Sequence, residues 1–107
     1  MSGITTHVLD IANGRPARAV PITLERRDAE EWREIGRGET DDDGRLRTLT
    51  GPTIDAGTYR ITFDIHAYAP EAFFPEATIV FVVKDVTQHY HVPLLLAPFG
   101  YSTYRGS

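Results

Sequence analysis

The stretch that decides the fold is His89-Tyr90-His91-Val92-Pro93-Leu94-Leu95-Leu96-Ala97, because it alternates with a period of two. Tyr90, Val92, Leu94 and Leu96 form one face, and His89, His91, Pro93 and Leu95 form the other. The first set suits a core. The second places two histidines beside apolar residues on the opposite face, where a bare apolar stripe is costly. Two arrangements satisfy that stripe: a subunit interface, or a central strand covered by its own chain.

Outward from this strand, turn signals recur at roughly the 8–12-residue spacing of an all-β sandwich. Tyr59, Ile61, Phe63 and Ile65 alternate with Arg60, Thr62, Asp64 and His66, and this is the cleanest strand pattern in the chain. Val20, Ile22 and Leu24 alternate with Pro21, Thr23 and Glu25 as a half-buried strand. Asp43-Gly44 offers a positive-φ hairpin turn between strands around Glu31 to Arg37 and Arg45 to Leu49, and puts Arg45 and Arg47 on one face. Thr78 to Lys84 is almost entirely apolar, which predicts a central strand covered on both sides. Between these strands, Ala69 to Glu76 leaves room for at most a turn of helix. Thr5 to Asp10 reads as a first strand whose alternation is too mixed to assign faces.

Length and composition narrow the chemistry. A chain of 107 residues is expected to form one domain, residues 1–107, around one core. It has no cysteine, which excludes disulfides, a thiol nucleophile and cysteine-ligated metals. The net charge of −4 and pI near 5.5 argue against nucleic acid or an anionic membrane as partner. No apolar run approaches the ~20 residues that cross a bilayer, and no leader pattern is present, so a soluble cytoplasmic protein is expected.

His89 and His91 form a two-ligand pair, and zinc needs a third protein ligand, so no metal or other cofactor is expected. Asp41-Asp42-Asp43-Gly44 lacks the twelve-residue calcium loop with its terminal Glu and reads as a solvated turn. Ser102 is not in a G-x-S-x-G elbow, and there is no glycine-rich phosphate loop. His66 shares the polar side of its strand with Asp64, as a surface histidine would. The segment Tyr101-Ser102-Thr103-Tyr104-Arg105-Gly106-Ser107 is rich in hydroxyls and carries a permanent cation, which suits a polar heterocyclic ligand. A last edge strand with packed tyrosines is the plainer alternative.

Taken together, Thr6-His7-Val8-Leu9-Asp10, Gly14-Arg15-Pro16-Ala17, Asp43-Gly44-Arg45, Phe73-Phe74-Pro75-Glu76, the His89 to Leu96 strand and the Tyr101 to Ser107 segment identify a family resemblance. The chain resembles the transthyretin-related 5-hydroxyisourate hydrolases over essentially its whole length. That resemblance implies a transthyretin-like two-sheet β-sandwich. It also implies a homotetramer built as a dimer of dimers, with active sites in channels between dimers. The usual short helix looks shortened or absent here, since only His66 to Ala72 separates its flanking segments.

The implied reaction opens the six-membered ring of 5-hydroxyisourate, a purine derivative, to 2-oxo-4-hydroxy-4-carboxy-5-ureidoimidazoline during urate degradation. By the same resemblance the catalytic residues are His7, Arg45, His91 and Ser107, and Tyr104, Arg105 and Gly106 bind substrate. A histidine with an ordinary pKa near ~6.5 can take a proton from water near neutrality. Either His7 or His91 can serve, with His7 favoured as base and His91 assisting. Arg45 stays charged and suits the developing negative charge. The competing expectation is a carrier of the same fold that binds a small molecule without catalysis.

Overall fold

A computed structural model describes residues 3–106. The strands are β1 (Gly3–Asp10), β2 (Arg15–Pro16), β3 (Pro21–Asp28), β4 (Glu31–Glu39), β5 (Arg45–Leu46), β6 (Gly57–Asp64), β7 (Glu76–Val83), β8 (His89–Ala97) and β9 (Gly100–Thr103). They form two sheets, one ordered β4-β3-β6-β7 and the other β2-β1-β8-β9 with β5 also pairing with β1. The transthyretin-like two-sheet sandwich is therefore present.

The core is the meeting of the two inner faces. Ile22 and Leu24 on β3 and Tyr59, Ile61 and Phe63 on β6 are buried opposite Ile4 and Val8 on β1 and Tyr90, Val92, Leu94 and Leu96 on β8. Burying side chains of this size contributes about 1.5–3 kcal/mol each before entropy is counted. β6 realises the expected alternation from Tyr59 to Asp64, but Ile65 and His66 leave the strand for a helical turn, which lies before Ala69 and not between Ala69 and Glu76. On β8 the inward set is buried as expected, and Pro93 of the outward set is buried as well.

β1 shows why its pattern reads as mixed. Thr6 and Asp10 occupy the buried face with Ile4 and Val8. Each is satisfied internally: the Thr6 hydroxyl donates to the Val92 carbonyl at 2.6 Å, and the Asp10 carboxylate accepts from the Tyr68 hydroxyl at 2.7 Å and the Asn13 amide at 2.8 Å. Buried polar groups with partners escape the desolvation cost that would expel them.

The helix is reduced to one turn, α1 (Ile65–Tyr68). The Asp64 carboxylate caps it by accepting from the Ala67 N–H at 3.1 Å. Pro70 explains its end, because the residue before a proline is pushed out of the helical region, and Ala69 lies at φ −132°, ψ 88°. His66 is exposed, as expected, and its Nε2 donates to the Ala72 carbonyl at 2.9 Å.

Two expectations are corrected. The apolar run on β7 does not lie in the middle of a sheet; β7 is an edge strand, with Val80 58% and Val82 55% exposed. Apolar residues on both faces report a surface that wants cover, and periodicity does not say whether the same chain supplies it. The turn at Asp41–Gly44 is not a hairpin either, since β4 belongs to one sheet and β5 pairs with β1 in the other. It is a crossing between layers. Among the described residues, no helix is long and apolar enough to cross a membrane.

Candidate active site

The site is built on the outer face of the β1–β8 pair. β1 and β8 run parallel, with Gly3 opposite His89, Thr5 opposite His91 and His7 opposite Pro93. Residues paired this way share a face, so Thr5, His7, His89, His91 and Pro93 look away from the core. Across the other edge of β1, antiparallel pairing sets Arg45 opposite His7.

The crossing turn delivers Arg45. The Asp41 carboxylate accepts the N–H groups of Asp43 and Arg45, both at 2.9 Å, and the Gly44 N–H closes on the Asp41 carbonyl at 2.9 Å. These bonds hold the Asp41 carboxyl below its ordinary pKa, the Arg45 amide foremost. Gly44 adopts φ +76°, and a Cβ there would lie 2.4 Å from the Val8 carbonyl oxygen. That close approach lets Gly44 accept the Val8 N–H at 2.7 Å, so the turn is sewn onto β1 beside His7.

As a result the Asp43 carbonyl lies 2.9 Å from His7 Nε2. A carbonyl only accepts, so Nε2 is the donor, and the neutral ring keeps its lone pair on Nδ1. Arg45 is half-buried, and among the described residues its guanidinium has no ion-pair partner.

His91 stands 6.5 Å from His7 between ring centroids, tilted by 40°, and 6.4 Å from His89, nearly parallel to it. The Thr5 hydroxyl bridges the latter two, 2.8 Å from His89 Nε2 and 2.8 Å from His91 Nδ1. Burial lowers the His91 pKa, reinforced by the positive field of Arg45 and by the neighbouring histidines and Arg47. The lowering favours the neutral imidazole.

The segment after β9 folds back over this histidine. The Gly106 N–H donates to the His91 carbonyl at 2.8 Å. A Cβ on Gly106 would lie 2.6 Å from His91 Cδ2 and 3.4 Å from Pro93 Cγ. Tyr104 is exposed and, with His91, Thr103 and Arg105, lines a cleft of about 340 Å³ whose other wall is Ile79, Phe81 and Val82 of β7. Arg105 turns elsewhere: its guanidinium lies 4.5 Å over the Tyr90 ring and donates to Gln88 Oε1 at 2.7 Å. It anchors the segment.

The structure thus brings together His7, Arg45, His91 and Gly106, and places Tyr104 and Arg105 in the cleft between His91 and β7, with the Arg105 guanidinium over Tyr90. Ser107 lies outside the described residues. Two contributors escaped sequence reading, Thr5 and the Asp43 carbonyl. Thr5 had a signal, since it precedes His7 by two and so shares its face; the backbone carbonyl had none. Of the outward stripe on β8, Pro93 is buried within the chain, whereas His89, His91 and Leu95 are half-buried.

The fold and site define a transthyretin-type β-sandwich carrying an imidazole and guanidinium cluster on one outer sheet face. The chain belongs to the HIUase/Transthyretin family, whose profile matches residues 4–106. It is 43% identical to the 5-hydroxyisourate hydrolase of Caulobacter vibrioides, over 100% of both chains. The 5-hydroxyisourate hydrolase of Klebsiella pneumoniae superposes with a TM-score of 0.88 at 37% identity, covering 100% of each chain. Sea bream transthyretin in complex with thyroxine superposes with a TM-score of 0.90 at 33% identity, covering 96% of this chain and 93% of the other.

Proposed function

We propose that this chain hydrolyses 5-hydroxyisourate to 2-oxo-4-hydroxy-4-carboxy-5-ureidoimidazoline, with His7, Arg45 and His91 as the groups that act on substrate. One observation carries the assignment of roles: an acceptor nitrogen on His7, a guanidinium on Arg45 with no ion-pair partner among the described residues and a neutral imidazole on His91 share one face. Full-length similarity to curated hydrolases supports the substrate.

The chemistry follows from those groups. A water molecule gives its proton to His7 Nδ1 while its oxygen forms a bond to a ring carbonyl carbon. Negative charge gathers on the carbonyl oxygen, where Arg45 stabilises it. The ring C–N bond then breaks, and the nitrogen leaves with a proton returned by the imidazolium. Tyr104 and Gly106 border the substrate, with Ser107 adjoining them in sequence.

A lone outer sheet face is too open for a small ligand, which favours enclosed sites. A second copy would close it. The exposed Phe99, Val80 and Val82 supply apolar surface for assembly into a homotetramer. Sedimentation should give a mass of four chains.

Fold alone does not separate enzyme from carrier. The deciding assay is spectrophotometric decay of freshly generated 5-hydroxyisourate, with His7→Ala and His91→Ala beside the unaltered protein. Accelerated decay lost in both variants fits the reading. Absence of acceleration by well-folded protein would leave the carrier.

A further inference from the structure

We infer that Thr5 and His89 are positioning residues which hold the His91 ring in the Nε2–H form, so that His91 donates a hydrogen bond to substrate while His7 accepts the proton. The inference rests on the hydrolase reading and divides the labour between its two histidines.

The argument begins with one proton. The Thr5 hydroxyl has a single hydrogen and sits 2.8 Å from a nitrogen of each ring. Accepting from both rings would leave its own hydrogen without an acceptor among the described residues, so it donates to one ring and accepts from the other, which permits two orders. In the first, His89 Nε2–H donates to Thr5 Oγ1, and the hydroxyl donates to His91 Nδ1. In the second, His91 Nδ1–H donates to the hydroxyl, which donates to His89 Nε2.

His89 Nδ1 decides between them. It is buried and, among the described residues, has no hydrogen-bond partner. The second order puts an N–H on that nitrogen, leaving an orphaned buried donor. The first leaves a lone pair there, a milder loss, because an unpaired buried acceptor is tolerated more readily than an unpaired N–H. A doubly protonated His89 would bury the same orphan donor together with a charge. The first order therefore holds, and His91 carries its proton on Nε2.

His7 is set the opposite way. Its Nε2–H is committed to the Asp43 carbonyl, leaving Nδ1 as acceptor. Two histidines with centroids 6.5 Å apart thus present unlike atoms, one lone pair and one N–H. That is the pairing a hydrolysis needs: an acceptor for the proton of water and a neutral donor for the carbonyl oxygen or leaving nitrogen.

The test reads tautomers directly. Long-range ¹H–¹⁵N correlation on the ring-labelled, unaltered protein at neutral pH should show His7, His89 and His91 all protonated at Nε2. A His91 protonated at Nδ1 would overturn the inference outright. Thr5→Val removes the hydroxyl and nearly preserves shape. It should lower kcat by about 10- to 100-fold, the scale of loss seen when the outer partner of a metal-bound imidazole is removed. KM should move far less, and the His91 signal should shift toward a tautomer mixture. Thr5→Ser should restore both kcat and the Nε2–H signal. A Thr5→Val protein with unchanged kcat and unchanged His91 tautomer would equally overturn the positioning role. The NMR readout does not depend on turnover: the predicted tautomers in a protein without hydrolase activity would support the proton order and overturn the hydrolase reading alone.

Discussion

Gly106 lies against the His91 ring so closely that a methyl group on its Cα would fall 2.6 Å from His91 Cδ2. The contact is to a side chain that is itself held by Thr5, so the ring has little freedom to yield. Gly106→Ala should therefore lower kcat while the fold survives, because the strain falls on the tail and the ring and not on the core. Far-ultraviolet circular dichroism together with initial rates checks this. Full activity in a folded Gly106→Ala protein would show that the tail does not bear on the site.

Arg45 faces His7 across the β1–β5 ladder without an acidic partner among the described residues. Arg45→Ala should cost about 10²- to 10³-fold in turnover, the loss typical of one oxyanion donor. Arg45→Lys should recover little, because an ammonium offers a point charge in place of a planar fork. Steady-state rates on fresh substrate discriminate the two.

Gly44 combines φ +76° with a backbone oxygen where its Cβ would stand. Gly44→Ala should destabilise by at least about 1 kcal/mol from the left-handed conformation alone. That corresponds to a Tm loss of about 4–8 °C in a domain of this size. Activity should fall further than stability, because the same turn delivers Arg45 and the Asp43 carbonyl. Thermal melts and rates on one preparation separate the two effects.

His91 has its pKa lowered by burial first and by nearby positive charge second. In the unfolded chain it titrates near ~6.5, so below that pH the unfolded state binds a proton that the folded state refuses. Stability should be unaffected by this group above pH ~6.5 and should decline as pH falls from there through the lower folded value. His91→Gln should flatten that slope. Chemical denaturation of both proteins across mildly acidic pH measures it.

Sequence periodicity recovered the strands whose inward face is uniformly apolar, β6 and β8, and missed the faces of β1 because Thr6 and Asp10 are buried polar residues satisfied by hydrogen bonds within the chain. It could not tell that β7 is an edge, since an apolar outer face looks the same in sequence whether or not it is covered. Nor could it place β1 beside β8, as alternation encodes faces and not neighbours. His7, Arg45 and His91 were legible through family resemblance. Thr5 was not, because its importance lies in a proton shared between two rings. The geometry of Arg105 was likewise hidden, since its stacking on Tyr90 depends on how the segment after β9 crosses the sheet.

The parallel pairing of β1 with β8 joins residues that stand 84 to 86 positions apart wherever Thr5 meets a histidine. Closing so long a loop is entropically slow, and such contacts form late in folding. His7 and Arg45 can only be framed by His91 once nearly the entire chain has been synthesised and the second sheet exists to receive β1. Catalysis would therefore appear abruptly at the end of refolding, making turnover a sensitive reporter of completed assembly and partly folded chains chemically silent.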